Sequence, residues 1–186
     1  MINETLHWIE TRRSHRAYLP TPLSEEQIQA LVNAGLQSPT AVNRQPWHFS
    51  VVRNAELLDE MNKQVCKIAN QRNAESRSPR FAQSDYHVFY HAPCVIFIFG
   101  DVTNSMAKID CGIAVENIAL AAESMGLGSV ILGMPRDAFS EDKKEIFENR
   151  LECPEGSEFV IAIAVGTPTD TKQAHPIGEN KVSFID

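Results

Sequence analysis

Apolar residues recur at helical spacing along the first seventy positions and predict three helices there. Asn3 is placed to cap a short first helix, which ends near the arginine-rich segment 12–16. Ser24 and Gln27 form a capping-box pattern at the start of the second helix. The second and third apolar faces are expected to be buried. The three faces comprise Ile2, Leu6 and Ile9, then Ile28, Leu31, Val32 and Leu36, then Leu57, Leu58, Met61, Val65 and Ile68.

Short apolar or aromatic runs predict four strands. They are 47–52, 94–99, 129–132 and 159–165. The run 94–99 is continuously apolar, which is typical of a strand buried on both faces. Residues 110–125 predict a helix that is apolar nearly all round, with Gly126 as its stop. Such a helix must be covered on every side, either at the domain centre or by another subunit.

The order of these elements does not by itself decide the fold class. Strands separated by helices suggest a parallel α/β sheet, but the helices are unevenly spaced and no internal repeat is present, so α/β and α+β both remain open. Ser140 is expected to cap a charged helix that ends near Arg150, and the polar stretch 70–84 is expected to be a mobile loop or lid. The length favours one domain, residues 1–186, that needs no metal or disulfide staple.

The charge balance is acidic, with 17 lysine and arginine residues against 24 aspartate and glutamate residues and a net charge of -7. Nucleic-acid binding needs clustered positive charge, so this balance argues against a general nucleic-acid binder. The longest stretch without charged residues, 86–100, is too short to span a bilayer. The first residues lack the pattern of a secretory signal. We therefore expect a cytoplasmic protein with no nucleic-acid or membrane partner.

The cysteines and histidines give no pattern that is typical of a metal site. His87 and His91 have a spacing that could hold a metal on a helix, but they lack an H-E-x-x-H pattern and stand among aromatic residues. We expect no metal, and we interpret the cysteines as reduced structural thiols because they lie far apart without a C-x-x-C pair. These cysteines are Cys66, Cys94, Cys111 and Cys153.

A basic segment, Arg12-Arg13-Ser14-His15-Arg16, stands out in this acidic chain. Guanidinium groups pair bidentately with phosphate, and in an extended segment the alternate residues Arg12, Ser14 and Arg16 would point together at one phosphate. On charge alone, a solvated charged turn is an equal alternative. The second basic region, 63–80, is interpreted as a solvated helix face. The absence of a G-x-G-x-x-G fingerprint, a P-loop and a G-x-S-x-G elbow argues against standard nucleotide folds and serine hydrolases.

The segment Ser38-Pro39-Thr40-Ala41-Val42-Asn43-Arg44-Gln45-Pro46-Trp47 has two prolines and no periodicity, which predicts an ordered loop. Together with the arginine segment before it, this loop resembles the start of a nitroreductase-family flavoprotein. The resemblance continues at Gly126-Leu127-Gly128-Ser129-Val130-Ile131-Leu132-Gly133 and at Ala164-Val165-Gly166-Thr167-Pro168. It covers most of the chain but hardly includes residues 60–92.

The resemblance implies an α+β fold, with a central and mostly antiparallel sheet flanked by helices. It implies an intertwined homodimer that binds FMN in each of two sites at the subunit interface. One subunit would contact the FMN phosphate and ribityl chain through Arg12, Ser14 and Arg16. The other subunit would face the isoalloxazine ring with Pro39, Thr40 and Ala41, and with Asn43 nearby.

The same resemblance implies further cofactor contacts late in the chain. Leu132 and Gly133 would offer backbone N–H groups to the N5 edge of the flavin. Lys181 stands where the family often places a lysine against the phosphate. Some relatives carry a second basic residue two positions later, where this chain has Ser183, so the phosphate would depend more on Arg12, Arg13 and Arg16.

The implied activity is that of an FMN-dependent oxidoreductase with a ping-pong cycle. NADH or NADPH would reduce the flavin and leave, and a nitroaromatic, a quinone or a related small conjugated acceptor would take its place. No catalytic side chain is assigned, because the flavin carries the chemistry. One alternative is an FMN-storage or sensing module, and another is an interaction protein that binds no flavin. The residues bulky enough to block the substrate face in a storage module are Phe81, Tyr86, Phe89 and Tyr90.

Overall fold

The computed structural model describes residues 3–72, 79–83 and 85–185. Five helices and four strands are formed in this part of the chain. In chain order they are α1 (Glu4–Thr11), α2 (Glu25–Leu36), β1 (Trp47–Val52), α3 (Ala55–Gln71), β2 (Cys94–Asp101), α4 (Ala107–Ser124), β3 (Gly128–Leu132), α5 (Lys144–Arg150) and β4 (Ser157–Gly166). All four predicted strands are therefore present, within two residues of their expected ends.

The strands form one sheet in the order β1-β2-β4-β3, and every neighbouring pair is antiparallel. The two long central strands pair along their whole length, with Val95 opposite Ala164 and Phe97 opposite Ala162. Antiparallel neighbours need no βαβ crossover, so this sheet does not require a regular alternation of strands and helices. The fold is α+β, as the family resemblance implied.

Strand β2 is buried on both faces, as its continuous apolar sequence predicts. Val95, Phe97 and Phe99 point to one side, where they pack in a cluster with residues of α3 and α5. Ile96 and Ile98 point to the other side and pack in a second cluster with residues of α2 and α4. Because side chains alternate along a strand, one strand contributes to both cores and the sheet lies between two layers of helices.

The helix ends follow the sequence signals in most cases. The Asn3 side chain caps α1, and Ser24 and Gln27 form the expected reciprocal capping box at the start of α2. Gly126 follows α4 with φ of 71°, a left-handed conformation that glycine adopts without steric cost. The prediction that Ser140 caps a helix was wrong. Its hydroxyl donates to the Asp137 carbonyl oxygen at 2.6 Å, and a 3-10 turn precedes α5.

Several apolar side chains that the pattern placed on helix faces lie on the surface of this chain. Leu6 and Ile9 of α1 are 57% and 51% exposed, and Leu36, which was expected to be buried in α2, is 48% exposed. Ile2 lies outside the described residues. On α4, Ile109 and Ile113 are also exposed. One side of α4 packs against the sheet and α2. Part of its apolar surface therefore stays uncovered within one chain.

The stretch that was expected to form a loop or lid is partly ordered by packing. Helix α3 continues to Gln71, and a 3-10 turn follows at Pro79–Ala82. Residues 73–78 and 84, on which part of that prediction falls, lie outside the described residues. Phe81 and Phe89 are buried in the cluster beneath α3. In the described part of the chain, no helix is both long enough and apolar enough to cross a membrane.

Candidate functional site

The arginine segment leaves the end of α1 in an extended conformation and runs along the free edge of β3. Ser14 forms a parallel bridge with Ser129, and the His15 N–H donates to the Ser129 carbonyl oxygen at 2.9 Å. This approach depends on Gly128, because a Cβ atom there would lie 2.9 Å from the Cβ of His15 and 2.7 Å from that of Pro168. A glycine at the start of β3 therefore allows the basic segment to pack against the sheet.

A surface cavity of about 600 Å³ opens beside this segment. Four predicted site residues line it: Arg12, Arg13, Ser14 and Arg16. The segment after β4 forms the other wall, to which Lys172 and His175 contribute. Glu10 is the acidic residue of the lining. Three guanidinium groups and an ammonium group around one cavity give a positive site that suits an anionic ligand.

The guanidinium groups of this cavity retain free hydrogen-bonding capacity. The Nε atoms of Arg12 and Arg13 are buried and have no hydrogen-bond partner among the described residues. Arg12 Nε lies 3.1 Å from Glu116 Oε1, so the two side chains form an ion pair. The Nε–H bond does not point at this oxygen, however, and makes no hydrogen bond with it. Buried donors without acceptors are costly unless a ligand satisfies them. The residues present therefore fit a phosphate-bearing cofactor such as FMN.

Asp170 joins the two walls of the cavity. Its Oδ1 lies 2.7 Å from His15 Nδ1, and its Oδ2 accepts the Arg16 N–H at 3.1 Å and pairs with Lys172 Nζ at 3.0 Å. Sequence reasoning missed Asp170 and Lys172. No local motif marks them, because Asp170 meets His15 and Arg16 only in the folded chain. Lys172 likewise lies opposite the arginine segment only after folding.

The predicted ring-facing residues lie on a separate part of the chain. Pro39, Thr40, Ala41 and Asn43 belong to the turn before β1 and do not line the arginine cavity. The Thr40 hydroxyl oxygen accepts the Gln45 N–H at 3.1 Å. The turn also contacts α4, since the Ala41 N–H donates to Asp110 Oδ1 at 3.3 Å.

The other predicted cofactor contacts occupy two places. Leu132 ends β3, three positions after the bridge between Ser129 and Ser14, and its side chain is buried. Gly133 is exposed, and no atom of the described residues lies within 4 Å of where its Cβ would be, so a ligand can approach its backbone. Lys181 lies in the exposed last segment and does not line the cavity. Its contact with phosphate stays a prediction.

His87 and His91 are not on a helix, although their spacing allowed it; they lie in the turns before β2. Their ring centroids are 4.2 Å apart, and His87 Nε2 lies 3.1 Å from Asp59 Oδ1. One ligand atom of each of these three residues lies within 4.8 Å of the other two. However, His87 Nδ1 accepts the Phe89 N–H, so the neutral ring carries its proton on Nε2. That tautomer donates to Asp59 and leaves His87 Nε2 no lone pair for a metal.

The whole chain resembles known flavoproteins in sequence and in fold. It is 35% identical to a nitroreductase with bound FMN from Desulfitobacterium hafniense, with a TM-score of 0.94 over 100% of both chains. It is 32% identical to a protein of Archaeoglobus fulgidus described as a candidate NADH dehydrogenase/NAD(P)H nitroreductase, over 92% of this chain and 89% of that one. It is 28% identical to the NADPH-flavin oxidoreductase of Vibrio harveyi, over 94% and 70% of the two chains.

The family model described as the nitroreductase family matches residues 9–167, a range that includes the arginine segment, the turn before β1 and the whole sheet. The match agrees with the resemblance carried by the arginine segment and the loop that follows α2. The chain belongs to the nitroreductase family.

Proposed function

We propose that this chain is an FMN-dependent NAD(P)H oxidoreductase that reduces nitroaromatics, quinones or related small conjugated acceptors in a ping-pong cycle. The observation that carries the proposal is the basic cavity, whose lining includes Arg12, Arg16 and Lys172. The FMN-bound nitroreductase of Desulfitobacterium hafniense and the flavin oxidoreductase of Vibrio harveyi support the cofactor and the class of reaction.

In this proposal the arginine cavity holds the FMN phosphate and ribityl chain. Arg12, Arg13 and Arg16 neutralise the phosphate, Ser14 adds a neutral donor, and Lys172 adds charge from the opposite wall. The Asp170 carboxylate keeps this lysine and the Arg16 backbone in place.

The backbone at the end of β3 serves the other end of the cofactor. The N–H groups of Leu132 and Gly133 would be directed at the flavin N5 edge, a role that does not depend on the leucine side chain. When bound, FMN supplies hydride acceptance from the nicotinamide and electron donation to the acceptor. The chain's own task is to bind, orient and stabilise charge, and solvent can supply protons to the product.

We further propose that the functional unit is an intertwined homodimer. Pro39, Thr40, Ala41 and Asn43 lie away from the arginine cavity of their own chain, so a second copy would bring them against the isoalloxazine ring. Exposed apolar residues support such a partner surface, because burying them stabilises an association. They include Leu6 and Ile9 on α1, Leu36 on α2, Ile109 and Ile113 on α4, and Val182, Phe184 and Ile185 near the end of the chain.

The storage or sensing alternative is less well supported by the structure than by the sequence. It required bulky residues to cover the substrate face, but Phe81 and Phe89 are buried in the core beneath α3. Tyr86 and Tyr90 are partly buried against the same core. We therefore favour turnover, and the cytoplasmic location stays a prediction.

The test is an absorbance spectrum of the purified protein, followed by anaerobic addition of NADH or NADPH. We expect flavin bands that bleach on addition and return when a quinone or nitroaromatic is supplied. Bands that persist with both nicotinamides would contradict the proposed activity. A colourless protein that does not bind added FMN would contradict the cofactor assignment as well.

A further inference from the structure

Helix α4 holds the turn before β1 at two points. Near its start, Asp110 Oδ1 accepts the Ala41 N–H at 3.3 Å. Two turns further along the helix, Asn117 Nδ2 donates to Ser38 Oγ at 2.8 Å. The same Asn117 amide group lies 3.3 Å from the Ala34 carbonyl oxygen, at the end of α2. Both ends of the segment 38–41 are therefore hydrogen-bonded to the same helix.

This turn needs external support, because its backbone is unusual. Val42, Asn43 and Gln45 have φ angles of 48°, 55° and 49°, in the left-handed region that residues other than glycine seldom adopt. Such a conformation persists only where the surroundings impose it. Within the turn, hydrogen bonds link Asn43 and Gln45 back to Thr40. The contacts from α4 fix the whole turn relative to the sheet.

Asp110 is an unusual residue for this position. It is only 2% exposed, and its Oδ2 has no hydrogen-bond partner in the described residues. A buried polar atom without a hydrogen-bond partner is costly. A hydrophobic residue of similar size would pack there without this cost but could not accept the Ala41 N–H.

We propose that Asp110 and Asn117 are positioning residues that hold the turn 38–43 in the conformation in which it faces the flavin ring. This inference rests on the proposed function, since it takes the turn to contact the isoalloxazine ring. Neither side chain touches the cofactor in this proposal. They act through Ala41 and Ser38, so their loss displaces the turn and weakens binding of the ring, while the phosphate contacts remain.

The ring and phosphate contributions can be separated by comparing FMN with riboflavin, which lacks the phosphate. For Asp110→Ala we expect affinity to fall by roughly 10-fold for both ligands, because the hydrogen bond that holds the Ala41 N–H is lost. Asn117→Leu should also weaken both ligands, by about 3- to 10-fold. Asp110→Asn keeps a carbonyl oxygen for the Ala41 N–H and should stay within about 3-fold of the wild type.

Two further readouts distinguish positioning from a general loss of structure. Visible circular dichroism of the bound flavin reports the surroundings of the ring and should change in Asp110→Ala and Asn117→Leu but not in Asp110→Asn. Glu123→Gln removes a charge from α4 away from the turn and serves as the matched control. If Asp110→Ala does not fold, as judged by far-ultraviolet circular dichroism, Asn117→Leu decides the outcome.

The proposal is overturned if the folded variants bind both ligands as the wild type does, or if they lose affinity for FMN alone. Arg16→Ala, measured in the same assay, distinguishes a failure of the positioning role from a failure of the proposed function. If Arg16→Ala weakens FMN selectively while the α4 variants change nothing, the proposed function stands and the positioning role fails. If the wild-type protein binds neither ligand, the proposed function itself fails.

Discussion

His15 Nδ1 lies 2.7 Å from Asp170 Oδ1, although 155 positions separate the two residues in the sequence. The other oxygen of the same carboxylate accepts the Arg16 N–H and pairs with Lys172. One acidic side chain thus joins the segment after β4 to the basic segment after α1. The positions of Arg16 and Lys172 at the proposed phosphate site depend on this connection.

The Asp170 connection predicts a pH dependence of stability. Burial acts to raise the pKa of Asp170, but hydrogen bonds from His15, Lys172 and the Arg16 N–H outweigh it and lower the pKa to about 2. A carboxylate with a lowered pKa stabilises the fold above its unfolded value near 3.9, and this contribution is lost as the pH falls towards 2. We expect Asp170→Asn to cost about 1 kcal/mol at pH 7, allowing for solvent screening.

Chemical denaturation at several pH values measures this effect. The difference in unfolding free energy between wild type and Asp170→Asn should shrink as the pH falls from 5 to 3. Parallel pH profiles for the two proteins would show that the carboxylate charge makes no net contribution.

Arg16→Ala should distinguish a phosphate site from ordinary surface charge. The lost charged hydrogen bond is worth about 1.5 to 3 kcal/mol, and it should weaken FMN far more than riboflavin. Flavin fluorescence titration measures both affinities. Arg53→Ala is the matched control, because Arg53 pairs with Glu25 away from the cavity. Equal losses for the two ligands in Arg16→Ala would argue against phosphate capture.

The two candidate lysines can be ranked by the same titration. Lys172 lines the cavity and Lys181 does not. We expect Lys172→Ala to weaken FMN by roughly 10-fold at low salt, with a smaller effect at high salt, because screening reduces the lysine's attraction for phosphate. Lys181→Ala should have the smaller effect. The reverse order would show that the family-based assignment of Lys181 is the better one.

The exposed apolar face of α4 predicts a defect in assembly when charge is introduced. Ile109 is 56% exposed and Ile113 is 37% exposed in the single chain. A glutamate buried at a subunit interface is unpaired and costly, so Ile109→Glu should shift the protein from dimer to monomer and reduce FMN binding. Sedimentation velocity measures the shift. Ile146→Glu on α5 is the control, as Ile146 is also exposed. A dimeric, FMN-loaded Ile109→Glu protein would place the interface elsewhere.

His87 predicts a second pH effect, at milder acidity. Burial lowers the pKa of His87, and the neighbouring His91 lowers it further, against the opposing effect of Asp59. The folded chain therefore favours the neutral ring, so stability falls as the pH drops below the ordinary value near 6.5 and towards the lower pKa of the folded state. We expect His87→Gln to flatten the pH profile of unfolding free energy between pH 7 and 5.

The control for this measurement is His7→Gln, which removes an exposed imidazole from α1. It should leave the slope between pH 7 and 5 unchanged. An unaltered slope in His87→Gln would mean that another group causes the acid sensitivity.

The sequence by itself determined the elements and the family, because both depend on local patterns. The continuous apolar run 94–99 required a strand buried on both faces, and that is the environment of β2. Ser24 and Gln27 required a helix start, since their side chains bond to backbone groups within the same turn. The arginine segment and the loop after α2 were sufficient to identify the nitroreductase family, to which the chain belongs.

The tertiary structure decided what depends on contacts between distant residues. The antiparallel order β1-β2-β4-β3 is set by pairing across the sheet, which no local period encodes. Ser140 carries the sequence signal of a cap, but a 3-10 turn separates it from α5, and its hydroxyl donates to the Asp137 carbonyl oxygen instead of accepting a helix N–H. Asp170 and Asp110 appear as ordinary acidic residues in the sequence. Their roles arise only because folding places specific donors, the His15 ring and the Ala41 N–H, beside their carboxylates, and because it buries Asp110.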